Sequence, residues 1–192
     1  INILYNFQLM KLAGENGIAA YGIIMYVNFA FMAIYLGYAI GSSPVVGYHY
    51  GAGNHKELKN LLAKSLVLMG GAGILLTMLA ELLTAPLVAI FANYDAELFA
   101  MTCHGFRLYA LAFAAMGVNV FGSAFFTALG NGVISATISF LRTLLFQIAM
   151  IILLPVFLRI DGIWLAIGAA ELLALAVTVT FLLRNRKKYH YA

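Results

Sequence analysis

Charge is what this chain has least of. Only 9% of its 192 residues are charged, seven acidic and eleven basic. A soluble domain gives about a quarter of its residues to charge, so an ordinary water-facing surface is excluded. Cysteine is nearly absent too. The single Cys103 rules out an intrachain disulfide and any cysteine-rich metal site. Proline occurs three times, at Pro44, Pro86 and Pro155, leaving long stretches free to be helical. The catalytic constellations are missing as well. There is no HExxH, no GxSxG, and no GxxxxGK[ST] phosphate loop. His49 and His55 lie six apart with only Glu57 nearby, which is not a metal-ligand spacing. The net charge of +4 would suggest nucleic acid in a soluble protein, but the basic residues form no stripe interleaved with aromatics. The chain therefore reads as no enzyme, with no metal, no organic cofactor and no nucleic-acid partner.

What is present is oil. Hydrophobic residues make up 64% of the chain, and the mean hydropathy is +0.97. Too little polar surface exists to cover a globule of this size. The expected fold class is an all-α membrane protein, a polytopic helical bundle in the lipid bilayer. A span needs about 20 apolar residues. Five segments meet that length: 18–43, 65–84, 100–129, 133–157 and 163–183. Each is punctuated by Gly, Pro, Asn or charge. Residues 1–12 cover only about 18 Å as helix, so they read as the end of a sixth span. With no initial Met and no signal-peptide pattern, an N-terminally truncated piece is expected.

Positive residues orient the spans. Lys56, Lys59 and Lys64 follow one span, and Arg184, Arg186, Lys187 and Lys188 follow the last. Alternation puts both clusters on one side, so loop 44–60 and the basic tail 184–192 are expected in the cytoplasm. Trp164 is expected at the outer membrane interface, and Tyr48 and Tyr50 at the inner one.

Ionisable groups inside a membrane are costly, so each is a candidate for function. Glu171 sits mid-span beside a stripe of Ala166, Ala170, Ala174 and Thr178. It is either a proton or cation contact or a structural group tying helices together. Arg142 and Gln147 share another span, and Arg142 could pair with Glu171. Glu81 lies near a span end, within snorkelling reach of the interface. His104 and Arg107 share a face at the start of another span. Tyr21, Asn28, Tyr35 and Ser42 recur every seven residues, nearly two helical turns, with Met25 and Met32 beside them. Adaptable methionines and ring faces that attract cations suit a wall for large apolar cations. An ordinary helix–helix interface is the alternative. Gly37 and Gly41 form a GxxxG pair that suits close helix packing.

Three pieces occur in order: "IGSSPVV" leading into "GYHYGAGNHKELKN", then "ALGNG", then "DGIWLAIGAAELL". Together they resemble the second half of multidrug and toxic compound extrusion (MATE) transporters, in particular the bacterial branch of the MepA type. The resemblance extends over essentially the whole chain, with Gly47, Gly51, Ala52, Gly53 and Asn54 as its loop motif. It implies one six-helix lobe of a twelve-helix, two-lobed transporter in the cell membrane. It further implies export of cationic or amphipathic small molecules by alternating access, in exchange for H⁺ or Na⁺, with the other lobe as partner. Some members of that family use acids in helices seven and ten. Here the first segment offers Asn6 and Gln8 but no carboxylate, and 100–129 contains no acid. A lipid-linked oligosaccharide flippase of the same superfamily is the alternative. Such cavities often carry several basic residues, whereas only Arg142 lies well inside here. An intramembrane enzyme is a second alternative that lacks a recognisable constellation.

Overall fold

The computed structural model describes residues 1–191. The chain is helical almost throughout. The helices are α1 (Asn2–Gly51), α2 (His55–Ala92), α3 (Ala96–Ala110), α4 (Phe113–Ala128), α5 (Gly132–Phe140) and α6 (Gln147–Asn185). A π-helical segment, Leu141–Phe146, joins α5 to α6. Three helical stretches, Asn2–Gly51, His55–Ala92 and Gly132–Asn185, are long and apolar enough to cross a membrane. The α3–α4 pair, bent by 48°, makes a fourth. The protein is thus a multi-pass membrane bundle.

Two of these stretches fold back on themselves. A straight helix the length of α1 would reach about 75 Å, far beyond a bilayer. It breaks at Gly14, whose φ of 64° favours glycine. Before the break the chain doubles back: the Tyr5 ring stacks on Tyr21 at 4.6 Å, and the Tyr21 hydroxyl donates to Asn2 Oδ1 at 3.2 Å. The second reversal lies inside α6. Arg159 takes φ 51°, and Gly162 packs directly on the backbone of Leu154 and Pro155. A Cβ on Gly162 would lie 2.7 Å from the Pro155 nitrogen. The Asp161–Gly162 punctuation read from sequence is therefore a steric requirement.

Other expected boundaries shift. Pro44 and Gly47 do not end α1, which runs on to Gly51. The hydroxyls of Ser42 and Ser43 bond the Ala39 carbonyl within this stretch. Pro86 likewise lies inside α2. The expected single span 100–129 is two helices, broken at Leu111–Ala112. Asn54 does cap α2, accepting from the Glu57 amide at 3.2 Å, and Asn131 caps α5 in the same way.

At the centre, α4 packs against α1, α2, α5 and α6. Small residues set the approach distances. The side of α6 carrying Ala166, Ala170, Ala174 and Thr178 is fully buried. Gly122 of α4 lies against Thr178, and Gly117 against the ring of Tyr35. Two expectations are overturned here. Trp164 is 1% exposed and packs on Gly105 inside the bundle, not at a lipid interface. Gly37 and Gly41 pack against no helix among the described residues, since a Cβ at either would meet nothing within 4 Å.

The basic tail is anchored. Tyr189 accepts from Asn131 Nδ2 at 2.6 Å, and the Tyr191 hydroxyl donates to the Leu182 carbonyl at 2.8 Å. Burial holds the Tyr191 hydroxyl's pKa above its ordinary value. His190 then rests against His55 at 4.8 Å, joining the tail to the start of α2. Ala192, the last residue of the expected tail, lies outside the described residues.

Candidate functional site: a buried ion pair between two cavities

Four polar side chains meet in the middle of this apolar bundle. Arg142 comes from the π-helical segment, Asn119 from α4, and Glu171 and Thr178 from α6. Arg142 Nε donates to Glu171 Oε1 at 2.8 Å. Asn119 Nδ2 donates to Glu171 Oε2 at 2.7 Å and to the Glu171 carbonyl at 2.9 Å. Thr178 donates to Asn119 Oδ1 at 3.0 Å. Glu171, Asn119 and Thr178 are fully buried, and Arg142 is 8% exposed. Both carboxylate oxygens therefore have donors, and the negative charge faces a guanidinium. A buried charge is tolerable on those terms and costly otherwise.

Beside this network α4 and α5 are joined by hydroxyls. Ser123 contacts Ser135 at 2.9 Å and Ser139 at 2.8 Å, and Thr127 contacts Ser135 at 2.7 Å. Each pair repeats at i, i+4 on its own helix, so the groups form a ladder. π-Helical turns recur at functional sites, where they re-aim a side chain out of α register. Here the turn carries Arg142.

Two cavities adjoin Arg142. One, of about 360 Å³, is lined by Tyr5, Tyr21, Met25, Asn28, Phe29, Met32, Tyr109, Met116, Arg142, Thr143, Gln147 and Glu171, with Ile1, Asn2 and Ile167 at its edges. The other, of about 330 Å³, is lined by Leu36, Ala39, Ile40, Ser43, Val120, Ala124, Ser123, Thr127 and Ser139. Met32 and Arg142 line both.

The structure distributes the sequence candidates unevenly. Tyr21, Met25, Asn28, Met32, Arg142, Gln147 and Glu171 come together around the larger cavity. Tyr35 does not join them. It is fully buried, and its hydroxyl donates to the Phe113 carbonyl at 2.9 Å, so it fastens α1 to α4. Glu81 lines neither cavity and stands half-buried on α2. Gly47 approaches the Ala128 carbonyl, and Gly51, Ala52, Gly53 and Asn54 make the exposed turn into α2. His104 pairs with Asp161 at 2.8 Å at the bundle surface. Among the described residues no cluster of His, Cys, Asp and Glu could hold a metal ion.

Sequence reasoning missed Asn119 and the serine ladder. A signal for Asn119 existed: it is the only amide side chain between residues 100 and 129. Such a group needs a partner inside a membrane. The serines carry no such signal, because a hydroxyl can bond its own helix backbone.

The chain is a helical membrane bundle with a polar centre and two cavities beside it. The chain belongs to the MatE family, whose family model matches residues 1–153. Three solved structures illustrate the likeness. A MATE protein in complex with MaL6 superposes with a TM-score of 0.91 at 17% identity, covering 100% of this chain and 43% of that one. A MOP-superfamily transporter from Pyrococcus furiosus gives 0.89 at 17% identity, with 97% and 42% covered. The Vibrio cholerae MATE transporter VcmN in its bent form gives 0.85 at 18% identity, with 98% and 43% covered. The chain thus spans less than half the length of the transporters it matches. No curated protein sequence matches it.

Proposed function

We propose that this chain is the carboxy-terminal lobe of a secondary active exporter of amphipathic compounds, cations among them. The other lobe of the same protein would close the cavity, and export would be coupled to inward H⁺ or Na⁺ by alternating access. The observation that carries this reading is the larger cavity. Its wall combines stacked aromatics (Tyr5 on Tyr21), three adaptable methionines (Met25, Met32 and Met116) and a few polar groups. Such a surface takes varied apolar cargo and fixes its orientation with few contacts. The loop motif around Gly51–Asn54 supports a place in the MepA-type branch. Clustered Lys and Arg at the α2 start and in the tail support a cytoplasmic location for loop 44–60 and residues 184–191. The flippase alternative is less favoured, because Arg142 is the one basic side chain lining the two cavities.

The test is transport by the two-lobed protein in proteoliposomes. Ethidium export should follow an imposed H⁺ or Na⁺ gradient and stop when that gradient is collapsed. Equal dye movement with and without a gradient would refute the reading. Met25→Ala and Asn28→Ala should shift the half-saturating dye concentration more than the amount of folded protein.

A further inference from the structure

We propose that Arg142 is an anion-docking subsite in this lobe, selecting amphipathic cargo that carries a carboxylate next to an aromatic body. The proposal rests on the export reading above and names the class of compound it favours.

The argument is an inventory of donors and acceptors. Glu171 is the sole carboxylate on the larger cavity, and it has nothing left to offer a cation. Its Oε1 takes the Arg142 Nε–H and its Oε2 takes the Asn119 amide, with the side chain 1% exposed. Arg142 is in the opposite position. Its side chain is 10% exposed, yet its one hydrogen bond among the described residues uses Nε. The guanidinium has five N–H groups in a planar fork, so the four on the Nη atoms are unpaired. Arg142 lines both cavities.

Other polar groups line the same space. The Tyr5 hydroxyl is buried without a partner, as is the Asn28 Oδ1, and the amide side chains of Asn28 and Gln147 line the cavity. The Arg142–Glu171 pair is neutral as a whole, but its carboxylate oxygens are both engaged while the guanidinium Nη–H groups are not. A carboxylate matches the guanidinium fork with two parallel hydrogen bonds, and a ring attached to it would share the cavity that Tyr5 and Tyr21 also line. A plain organic cation finds no free carboxylate among the described residues lining the larger cavity.

The experiment uses the two-lobed protein in nanodiscs of zwitterionic lipid and three fluorescent probes with one ring system: pyrenebutanoate, its methyl ester, and pyrenebutylamine. Affinities are corrected against empty discs. The carboxylate should bind at least about tenfold more tightly than the ester, as expected for one charge-assisted contact. Glu171→Gln removes the competing charge and should keep or increase that ratio. The paired variant Arg142→Gln/Glu171→Gln leaves no buried charge unmatched and should bring the ratio close to one. Equal binding of carboxylate and ester by the unmodified protein overturns the proposal without any variant, as does a ratio that survives in the paired variant. If the amine and ester bind and are exported while the carboxylate has no advantage, the subsite fails and the export reading stands. If none of the three is bound or moved, both fail.

Discussion

Replacing Asn119 by Leu tests whether the polar centre holds the bundle together. The two side chains are close in size, so the substitution removes hydrogen bonds and leaves little void. Three are lost: two from Asn119 to the Glu171 carboxylate and carbonyl, and one from Thr178 to Asn119. In soluble proteins a bond to a charged group contributes about 1.5–3 kcal/mol and a neutral one about 0.5–1.5. That sums to about 2.5–6 kcal/mol. Interhelical hydrogen bonds in membranes average nearer 0.6 kcal/mol, which gives about 2. The lower figure omits Glu171 Oε2, left buried without a donor, so we expect a loss of about 2–4 kcal/mol. The assay is equilibrium unfolding in mixed micelles by added SDS, followed through Trp164. This is the sole tryptophan, and it is packed on Gly105. Thr178→Val should cost less, and the double variant should lose less than the sum, because one bond is shared. If Asn119→Leu unfolds within about 0.5 kcal/mol of the unmodified protein, the size expected of an inconsequential surface change, the network is not what joins α4 to α6.

Three further outcomes follow from other contacts. Arg142→Met should destabilise by about 3–5 kcal/mol, since it strands a buried carboxylate. Arg142→Met with Glu171→Leu should recover much of that loss, measurable in the same unfolding assay. Gly162→Ala forces a Cβ against the Leu154 and Pro155 backbone. It should cost about 2 kcal/mol or more, seen as a lower unfolding midpoint, whereas Gly37→Ala should be neutral because it meets nothing. Asn54→Ala removes the α2 cap and should cost about 1 kcal/mol, with faster amide exchange confined to the first turn of α2.

Much of the fold was legible because membranes impose a length on apolar runs. The spans, the reversals near Gly14 and Asp161–Gly162, and the caps at Asn54 and Asn131 all carry local signals. Pro44 and Pro86 misled because a proline stops a helix reliably only where water can take over the freed carbonyl. Tyr35 shared the period of Tyr21 and Asn28, yet it meets α4 where Gly117 lets a ring approach, and periodicity cannot report what stands opposite. The same is true of Trp164, whose berth exists because residue 105 has no side chain.

By itself, the sequence determined that the chain lies in a bilayer as helices, roughly where each helix runs, and that Arg142 and Glu171 must find some answer to burial. Those are consequences of solvent and composition, which act on each segment alone. Tertiary structure decided which groups answer which. Asn119, from a third helix, completes the Glu171 shell, and Arg142, which lines both cavities, is left with only its Nε–H engaged among the described residues. Pairing depends on which helices become neighbours and how closely small residues let them approach. No single segment contains that information.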